Sequence, residues 1–394
     1  MSGVLQGIRV LDFGRYIAGP FCGTMLADMG AEVIRIERVD GSEDRFLAPV
    51  GKGGEGGTFL QLARNKQGLT LNPMKPEAKE VVRRLVETAD VVVANLPYST
   101  LESMGIDYET LKGIKPDIIL THVSAFGNTG PYAERVGFDL LGQAMSGMMY
   151  MTGTEGAPVR SQVPYVDFST ALFAAFGTMA ALMERQQTGQ GQIVEASLLS
   201  SSLALNNSFL VEEECLGLDR KPHGNRGHHH APNDVYKTRD GFLVTMVVGN
   251  PLFKRWANLM GESHWLEDPR FAEDIDRGTH GQEISERMAA WCAERTTGEA
   301  IDELETARIP AGPVYTPAAA LADPHVRARE LFKYTDYPGL PKPAPLADTP
   351  VKLSRTPGGI RQRPPTLGEH TDDILASLGF SSEDVSNLRK ARAV

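Results

Sequence analysis

Residues 8–37 read IRVLDFGRYIAGPFCGTMLADMGAEVIRIE. Ile8 to Phe13 is a short apolar run that reads as a buried strand. Glu32 to Glu37 (EVIRIE) alternates apolar with polar residues, the period of a strand. Between them, Pro20 to Met29 carries a helix signal, with Pro in its first turn and Gly30 at its end. Strand, helix, strand is a βαβ unit, and the next stretch repeats it. Leu69 to Leu71 reads as a strand, Pro76 to Ala89 (PEAKEVVRRLVETA) as an amphipathic helix, and Val91 to Ala94 and Asp117 to Val123 as further strands. Such alternation implies an α/β fold around a parallel sheet. Ligands of these sheets bind in crevices at the carboxyl ends of the strands.

Further along, Asp167 to Gln187 reads as a long helix that is apolar on almost every face. A helix of that kind must be buried in a large core or a subunit interface. Thr188 to Gln192 (TGQGQ) stops it, and Ile193 to Ala204 resumes an apolar pattern. Leu218 to Asn233 (LDRKPHGNRGHHHAPN) is a loop by composition. Asp234 to Asn250 reads as a hairpin turning at Arg239-Asp240-Gly241. Helical stretches follow near Pro251–Met260 and Gln282–Glu294. A smaller α+β domain is expected over 222–315, and the tail, 316–394, is rich in Pro and Arg.

The chain has 394 residues, which suggests two to three domains. It is 41% hydrophobic and 23% charged, enough to bury a sizeable core and too apolar for a disordered chain. Forty Lys and Arg against fifty Asp and Glu give a formal charge of −10, which argues against broad binding to nucleic acid or an anionic membrane. The three cysteines, Cys22, Cys215 and Cys292, are far apart, so a disulfide framework is not expected and a reducing cytoplasm fits. Met1 to Val10 lacks the pattern of a signal peptide. The apolar run Ser169 to Met183 is shorter than the roughly 20 residues of a membrane span.

Four groups invite a chemical reading. Gly14 to Gly19 has the G-x-x-x-x-G frame of a phosphate loop, but Pro20-Phe21 stands where Lys-Ser/Thr is required. A tight strand-to-helix turn is expected instead, with its backbone N–H groups free to meet a ligand. His228, His229 and His230 are adjacent, and adjacent side chains on extended backbone point apart, so no metal site is expected. Arg38, Arg45, Arg64 and Lys66 read equally as a solvated surface or as an anion site. Asp167, in PYVDFSTALFAAFG, sits where a polar segment enters the apolar helix. It reads as a helix N-cap, and the same position also suits a carboxylate nucleophile beside apolar walls.

Eight segments in order resemble the class III CoA-transferases, the CaiB/BaiF superfamily of formyl-CoA and crotonobetainyl-CoA transferases. They are AGPFCGTMLADMGAEVIRIE (18–37), LARNKQGLTLN (62–72), ADVVVANL (89–96), SAFGNTGPYAERVGFDLLGQAMSG (124–147), VDFSTALFAAFGTMAALMERQQTGQGQIVEASL (166–198), GNRGHHHAPNDVYKTRDG (224–241), LEDPRF (266–271) and ADPHVRARE (322–330). Each alone is weak; together they span nearly the whole chain. The resemblance implies an interlocked homodimer, each chain threading its partner. A large Rossmann-like CoA-binding domain would come from both chain ends (1–221 and 316–394), with a small α+β domain (222–315) in the sequence between them.

The resemblance also implies chemistry. Asp167 aligns with the family's catalytic aspartate, which carries CoA as an aspartyl-CoA thioester between an acyl-CoA and a free carboxylic acid. Ala18, Arg38, Leu71, Asn95, Leu96, Met104, Arg135 and Asp139 align at or near CoA-contacting positions. Gly224, Asn225, Gly227 and His228 fall on a glycine-containing loop that covers the site in relatives. Ser103 replaces an arginine of some relatives, and Ile17 replaces a glutamine of the formyl-CoA enzymes. Coenzyme A is then a substrate, with no tightly bound cofactor. Two alternatives remain: an α-methylacyl-CoA racemase-like epimerase and a non-catalytic CoA-binding protein. The racemase pattern has a histidine where Phe138 stands and a glutamate where Asn250 precedes Pro251. Both departures favour the transferase, because a racemase needs two acid/base groups. A Rossmann oxidoreductase is disfavoured by the missing glycine fingerprint. The acceptor acid is not legible, although Arg135 and the His228–His230 loop suit an anion such as a dicarboxylate.

Overall fold

The computed structural model describes residues 3–394. The chain divides into two compact units. The first comprises residues up to Ser146, Ser161–Asn207 and Arg327–Val394; the second comprises Gly147–Arg160 and Ser208–Val326. The boundaries expected at 222 and 315 fall inside the second unit.

The first unit is built on a six-stranded sheet of β1 (Arg9–Asp12), β2 (Glu32–Glu37), β3 (Lys66–Thr70), β4 (Val91–Ala94), β5 (Ile119–Ser124) and β6 (Ile193–Ser197), in the order β3-β2-β1-β4-β5-β6. Every neighbouring pair is parallel, with Val10 opposite Val33 on one side and Val91 on the other. Helix α1 (Ala18–Asp28) links β1 to β2, and α2 (Lys79–Thr88) lies between β3 and β4 in sequence. The strand order reverses direction between β1 and β4, which places a ligand crevice outside their carboxyl ends.

The side-chain period of two divides the strands between two cores. Leu11, Ile34, Ile36, Val92 and Leu120 pack with Val81, Leu85 and the C-terminal Leu375 and Leu388. Val10, Val33, Val91, Val93 and Ile119 pack on the opposite face with Cys22, Leu26, Ala171 and Ala174. Both faces are covered, which is why β4 reads as an unbroken apolar run.

The alternation in EVIRIE misled in one respect. Arg35 and Glu37 do not face water; both are buried. They belong to a buried ionic network in which Arg35 pairs with Asp44 at 2.9 Å and Arg45 pairs with Glu37 and stacks on Phe59. Arg64 pairs with Asp28 at 2.8 Å, and Lys66 with Asp12 at 2.7 Å, all buried. Of the four cations considered as an anion site or a solvated surface, three are therefore neither. A buried charge must be paired, and these carry their partners within the fold.

Helix α3 (Asp139–Met145) precedes the long helix α4 (Tyr165–Thr188). At 24 residues α4 is long and apolar enough to cross a membrane by length and composition, unlike the shorter run read from sequence. Its packing is that of a core helix: Thr170, Ala171, Ala174, Thr178, Ala181 and Leu182 are buried on one face, against α1, β5 and β6. The expectation of burial on almost every face does not hold within one chain. Leu172, Phe173, Phe176 and Met183 are exposed, Phe176 by 75%. After β6, Ser197 caps α5 (Leu198–Leu205) by accepting the Ser200 N–H.

The second unit contains the antiparallel sheet β7 (Asn233–Lys237), β8 (Phe242–Met246) and β9 (Ala311–Pro313), with the expected turn at Arg239-Asp240-Gly241. Its core gathers Trp256, Phe253, Trp265, Phe271, Met288 and Trp291.

Candidate active site

The crevice at the strand ends is a cavity of about 1140 Å³ in the first unit. Seven of the eight expected coenzyme contacts line it: Ala18, Arg38, Leu71, Asn95, Leu96, Met104 and Arg135. Asp167 and Ile17 are on the same wall. The topology accounts for the convergence, because Ala18 opens the helix after β1, Arg38 follows β2, Leu71 follows β3, and Asn95 and Leu96 follow β4.

The loop after β1 is clamped from several sides. Asp12 accepts the Gly14 N–H at 2.9 Å and the ammonium of Lys66. A Cβ on Gly14 would approach Asp12 Oδ1 to 2.7 Å, so only glycine fits there. The Asn95 side chain accepts the Arg15 N–H at 2.7 Å and donates to the Arg15 carbonyl at 2.8 Å. Asn95 thus spends both ends of its amide shaping the wall. The resulting strand-to-helix turn exposes Ile17 and Ala18, at the N-terminus of α1, to the cavity.

Asp167 is 8% exposed, in the first turn of α4. It is not the N-cap that its position in the sequence suggested, because the helix starts two residues earlier at Tyr165. The capping is supplied from α3. Asp139 Oδ1 accepts the N–H groups of Val166 at 2.8 Å and Asp167 at 3.2 Å. Gln143 donates to the other oxygen of Asp139, and its own carbonyl accepts the Ser161 N–H at 3.0 Å. Asp139 does not itself line the cavity; it stands behind Asp167 as a buried backbone anchor. Burial, and then the Asp139 carboxylate, push the Asp167 carboxyl up to about 7. A carboxylate so raised is more basic and a better nucleophile than one in water. The other acidic residues on the wall, Asp40, Glu43, Glu134 and Glu195, are exposed.

Several wall residues carried no signal in the sequence pattern. His122 lies in the second half of β5, with Nε2 at 2.9 Å from the Leu96 carbonyl and Nδ1 at 3.0 Å from the Asn128 amide. Burial lowers its pKa, which disfavours the charged ring. Arg15 and Tyr16 also line the cavity, with Tyr16 in the left-handed region at φ 59°. The rings of Phe138 and Tyr16 meet edge to face, with their centroids 5.4 Å apart. The carboxyl-end rule for parallel sheets would have pointed to His122; only the turn geometry reveals Arg15 and Tyr16.

Gly224, Asn225, Gly227 and His228 belong to the second unit. Gly224 takes φ +68°, which glycine tolerates. His228 stacks on His223 at 4.4 Å, His229 Nε2 lies 2.6 Å from Glu212, and His230 meets Asn233 at 3.1 Å. The three adjacent histidines therefore take three different partners. Burial, with the neighbouring cations, brings His228 down to about 4, so it is neutral at pH 7. Asn250, at the position of the racemase glutamate, accepts from Arg277 at 2.8 Å.

Comparison with known proteins agrees with this architecture. The family model of CoA-transferase family III matches residues 5–371. The chain is 36% identical over 405 residues to the succinyl-CoA–D-citramalate CoA-transferase of Chloroflexus aurantiacus, covering 99% of this chain and 98% of that one. It is 30% identical to the human succinyl-CoA:glutarate CoA-transferase, covering 99% and 90%. Among solved structures, a CaiB/BaiF family protein from Brucella suis superposes with a TM-score of 0.84 at 30% identity, covering 96% of this chain and 100% of that one. The chain belongs to CoA-transferase family III, enzymes that move CoA from an acyl-CoA thioester to a free carboxylic acid.

Proposed function

We propose that Asp167 is the nucleophile of this transferase, that a succinyl-CoA-like thioester is the donor, and that a small dicarboxylic acid is the acceptor. The observation that carries the first part is the buried carboxylate of Asp167 on the cavity wall, its pKa raised by burial and then by Asp139. Relatives named for succinyl-CoA and for citramalate, malate or glutarate support the substrate class. The Asp167 carboxylate attacks the thioester carbonyl and expels CoA thiolate, leaving a mixed anhydride. The thiolate attacks the aspartyl carbonyl, which releases the donor acid and forms an aspartyl-CoA thioester. The acceptor carboxylate then attacks that thioester and expels the thiolate again. Attack of the thiolate on the acceptor's acyl carbon regenerates Asp167. The activated carboxyl is held on the enzyme throughout, so water must be kept away from the anhydride. The apolar wall of Ile17, Leu71, Leu96, Met104 and Phe138 suits that requirement.

The test is to incubate the protein with succinyl-CoA and read the peptide containing Asp167 by mass spectrometry. A CoA adduct, or its hydroxylamine-trapped derivative, is expected, and it should vanish when the acceptor acid is added. Deuterium exchange at the α-carbon of a branched acyl-CoA, with no adduct, would overturn the reading in favour of a racemase. Phe138 and Asn250 argue against that outcome, since neither can carry a proton.

The chain works as an interlocked homodimer in this reading. Support comes from the exposed apolar face of α4 and from the helix Asn207–Leu216, none of whose residues is buried although it contains Leu210, Val211 and Leu216. Large apolar side chains left exposed on a helix in this way are characteristic of a protein interface. Phe176→Asp would place a charge in that interface. Sedimentation is expected to show twice the chain mass for the wild type and a shift to monomer or aggregate for the variant. An unchanged dimer would remove α4 from the interface.

A further inference from the structure

The five cations on the cavity wall differ in what they already hold. Arg38 is paired with Glu43, and Arg392 with Asp40 at 2.8 Å, both in exposed positions. Arg135 is exposed and stacks on Tyr132 at 4.4 Å. Lys75 is partly exposed. Arg15 is partly buried, and among the described residues no carboxylate is paired with it. Its Nη1 donates to three carbonyls, of Phe13 at 3.1 Å, Gly14 at 3.0 Å and Ile36 at 3.1 Å. Its Nη2 and Nε have no acceptor among the described residues, on a side chain that lines the cavity.

The carboxylates near Arg15 are already taken. Asp12 holds Lys66, Glu37 holds Arg45, and Asp44 holds Arg35. Burial and the neighbouring Arg35 both disfavour the charge on Arg15. A guanidinium is not deprotonated in proteins, so an arginine in this setting stays charged and short of an anion. The three carbonyls fix one nitrogen and leave the other edge of the fork presented as a unit. That geometry suits two oxygens of one anion.

We propose that Arg15 receives a phosphate of the nucleotide half of CoA, through its Nη2–Nε edge. The inference rests on the CoA-transferase reading of this cavity. The anion is the coenzyme's phosphate and not the acid's second carboxylate because of where Arg15 stands. It lies beside the end of β2 and within the electrostatic reach of Glu43, at the Arg38 end of the cavity. The reacting carbonyl must sit on Asp167 in the first turn of α4, whereas Arg15 is held to the Ile36 carbonyl at the end of β2, so the group that meets it is another part of the substrate.

The test compares CoA with pantetheine, which lacks the nucleotide and its phosphates, on wild type, Arg15→Gln and Arg15→Lys. Wild type is expected to bind CoA more tightly than pantetheine by calorimetry. Arg15→Gln should weaken CoA by about ten- to a hundredfold while pantetheine binding moves far less, so that the ratio between the two collapses. Arg15→Lys, which keeps the charge and loses the fork, should fall between them. A ratio unchanged in either folded variant would overturn the proposal. So would a rise in the KM of the acceptor acid with the CoA ratio intact, since that would place the acid at Arg15. Failure of the underlying reading looks different: wild type would then bind neither compound and form no adduct at Asp167.

Discussion

Asp167→Asn is expected to abolish transfer, lowering kcat by at least about a thousandfold, as loss of a covalent nucleophile does. The amide oxygen is too weak a nucleophile to form the anhydride, so no CoA adduct should appear on the peptide in mass spectrometry. CoA itself should still bind, because Arg38, Asn95 and the N-terminus of α1 are untouched. The same substitution should stabilise the fold at alkaline pH. In the wild type the carboxyl titrates near 7, above its ordinary value of 3.8. A group raised on folding contributes its full stability below its ordinary pKa and loses it as pH rises through the folded value. By pH 8 the ionised form costs on the order of 4 kcal/mol relative to a neutral side chain. Melting curves of Asp167→Asn should therefore lie above wild type at pH 8, and the gap should shrink as pH falls toward 4. A variant that turns over at a tenth of the wild-type rate would remove Asp167 from the nucleophile's role.

Asp139 carries the second large effect. Its carboxylate anchors the first turn of α4 through the N–H groups of Val166 and Asp167. Asp139→Ala leaves those two donors without an acceptor, at a cost of about 1–2 kcal/mol, and frees the backbone that aims Asp167. A displaced nucleophile is expensive, so kcat should fall by about a hundredfold. Asp139→Asn separates anchoring from charge. Its amide oxygen still accepts both N–H groups, but its NH₂ faces the NH₂ of Gln143. Relief by turning the Gln143 amide would sacrifice the acceptor for Ser161. With the neighbouring negative charge gone, Asp167 ionises more readily. The acid limb of kcat/KM, centred near pH 7 in the wild type, should move to lower pH, and the plateau above it should drop because the carboxylate is less basic. An acid limb that stays in place would show that burial alone sets the basicity of Asp167.

The family resemblance named most of the wall residues, and the parallel sheet explains why they meet, since they follow strands that the periodicity identifies. Ala18, Arg38, Leu71, Asn95 and Leu96 each stand just after a strand or at the start of the next helix, and a parallel sheet brings all such positions to one edge. The resemblance contributed Asp167, which periodicity alone leaves as a helix cap. Asp139 was legible as a site residue but not in its role, since nothing in FDLLGQAM says that its carboxylate turns toward α4. Arg45, Arg64 and Lys66 were misread for a similar reason: their partners Glu37, Asp28 and Asp12 are distant in sequence or lie on another strand.

The sequence by itself determined the parallel α/β scheme and the family, and it pointed to Asp167. These follow from local hydrophobic period and from ordered motifs, which are properties of neighbouring residues. Only the tertiary structure decided which charges are buried pairs and which remain open to a ligand. It also decided which carboxylate lines the cavity and which one anchors the first turn of α4, and that α4 buries one face while leaving Phe173 and Phe176 uncovered. Those outcomes depend on desolvation and on contacts between elements far apart in the chain, and burial fixes the sign and cost of a charge only once its surroundings are assembled.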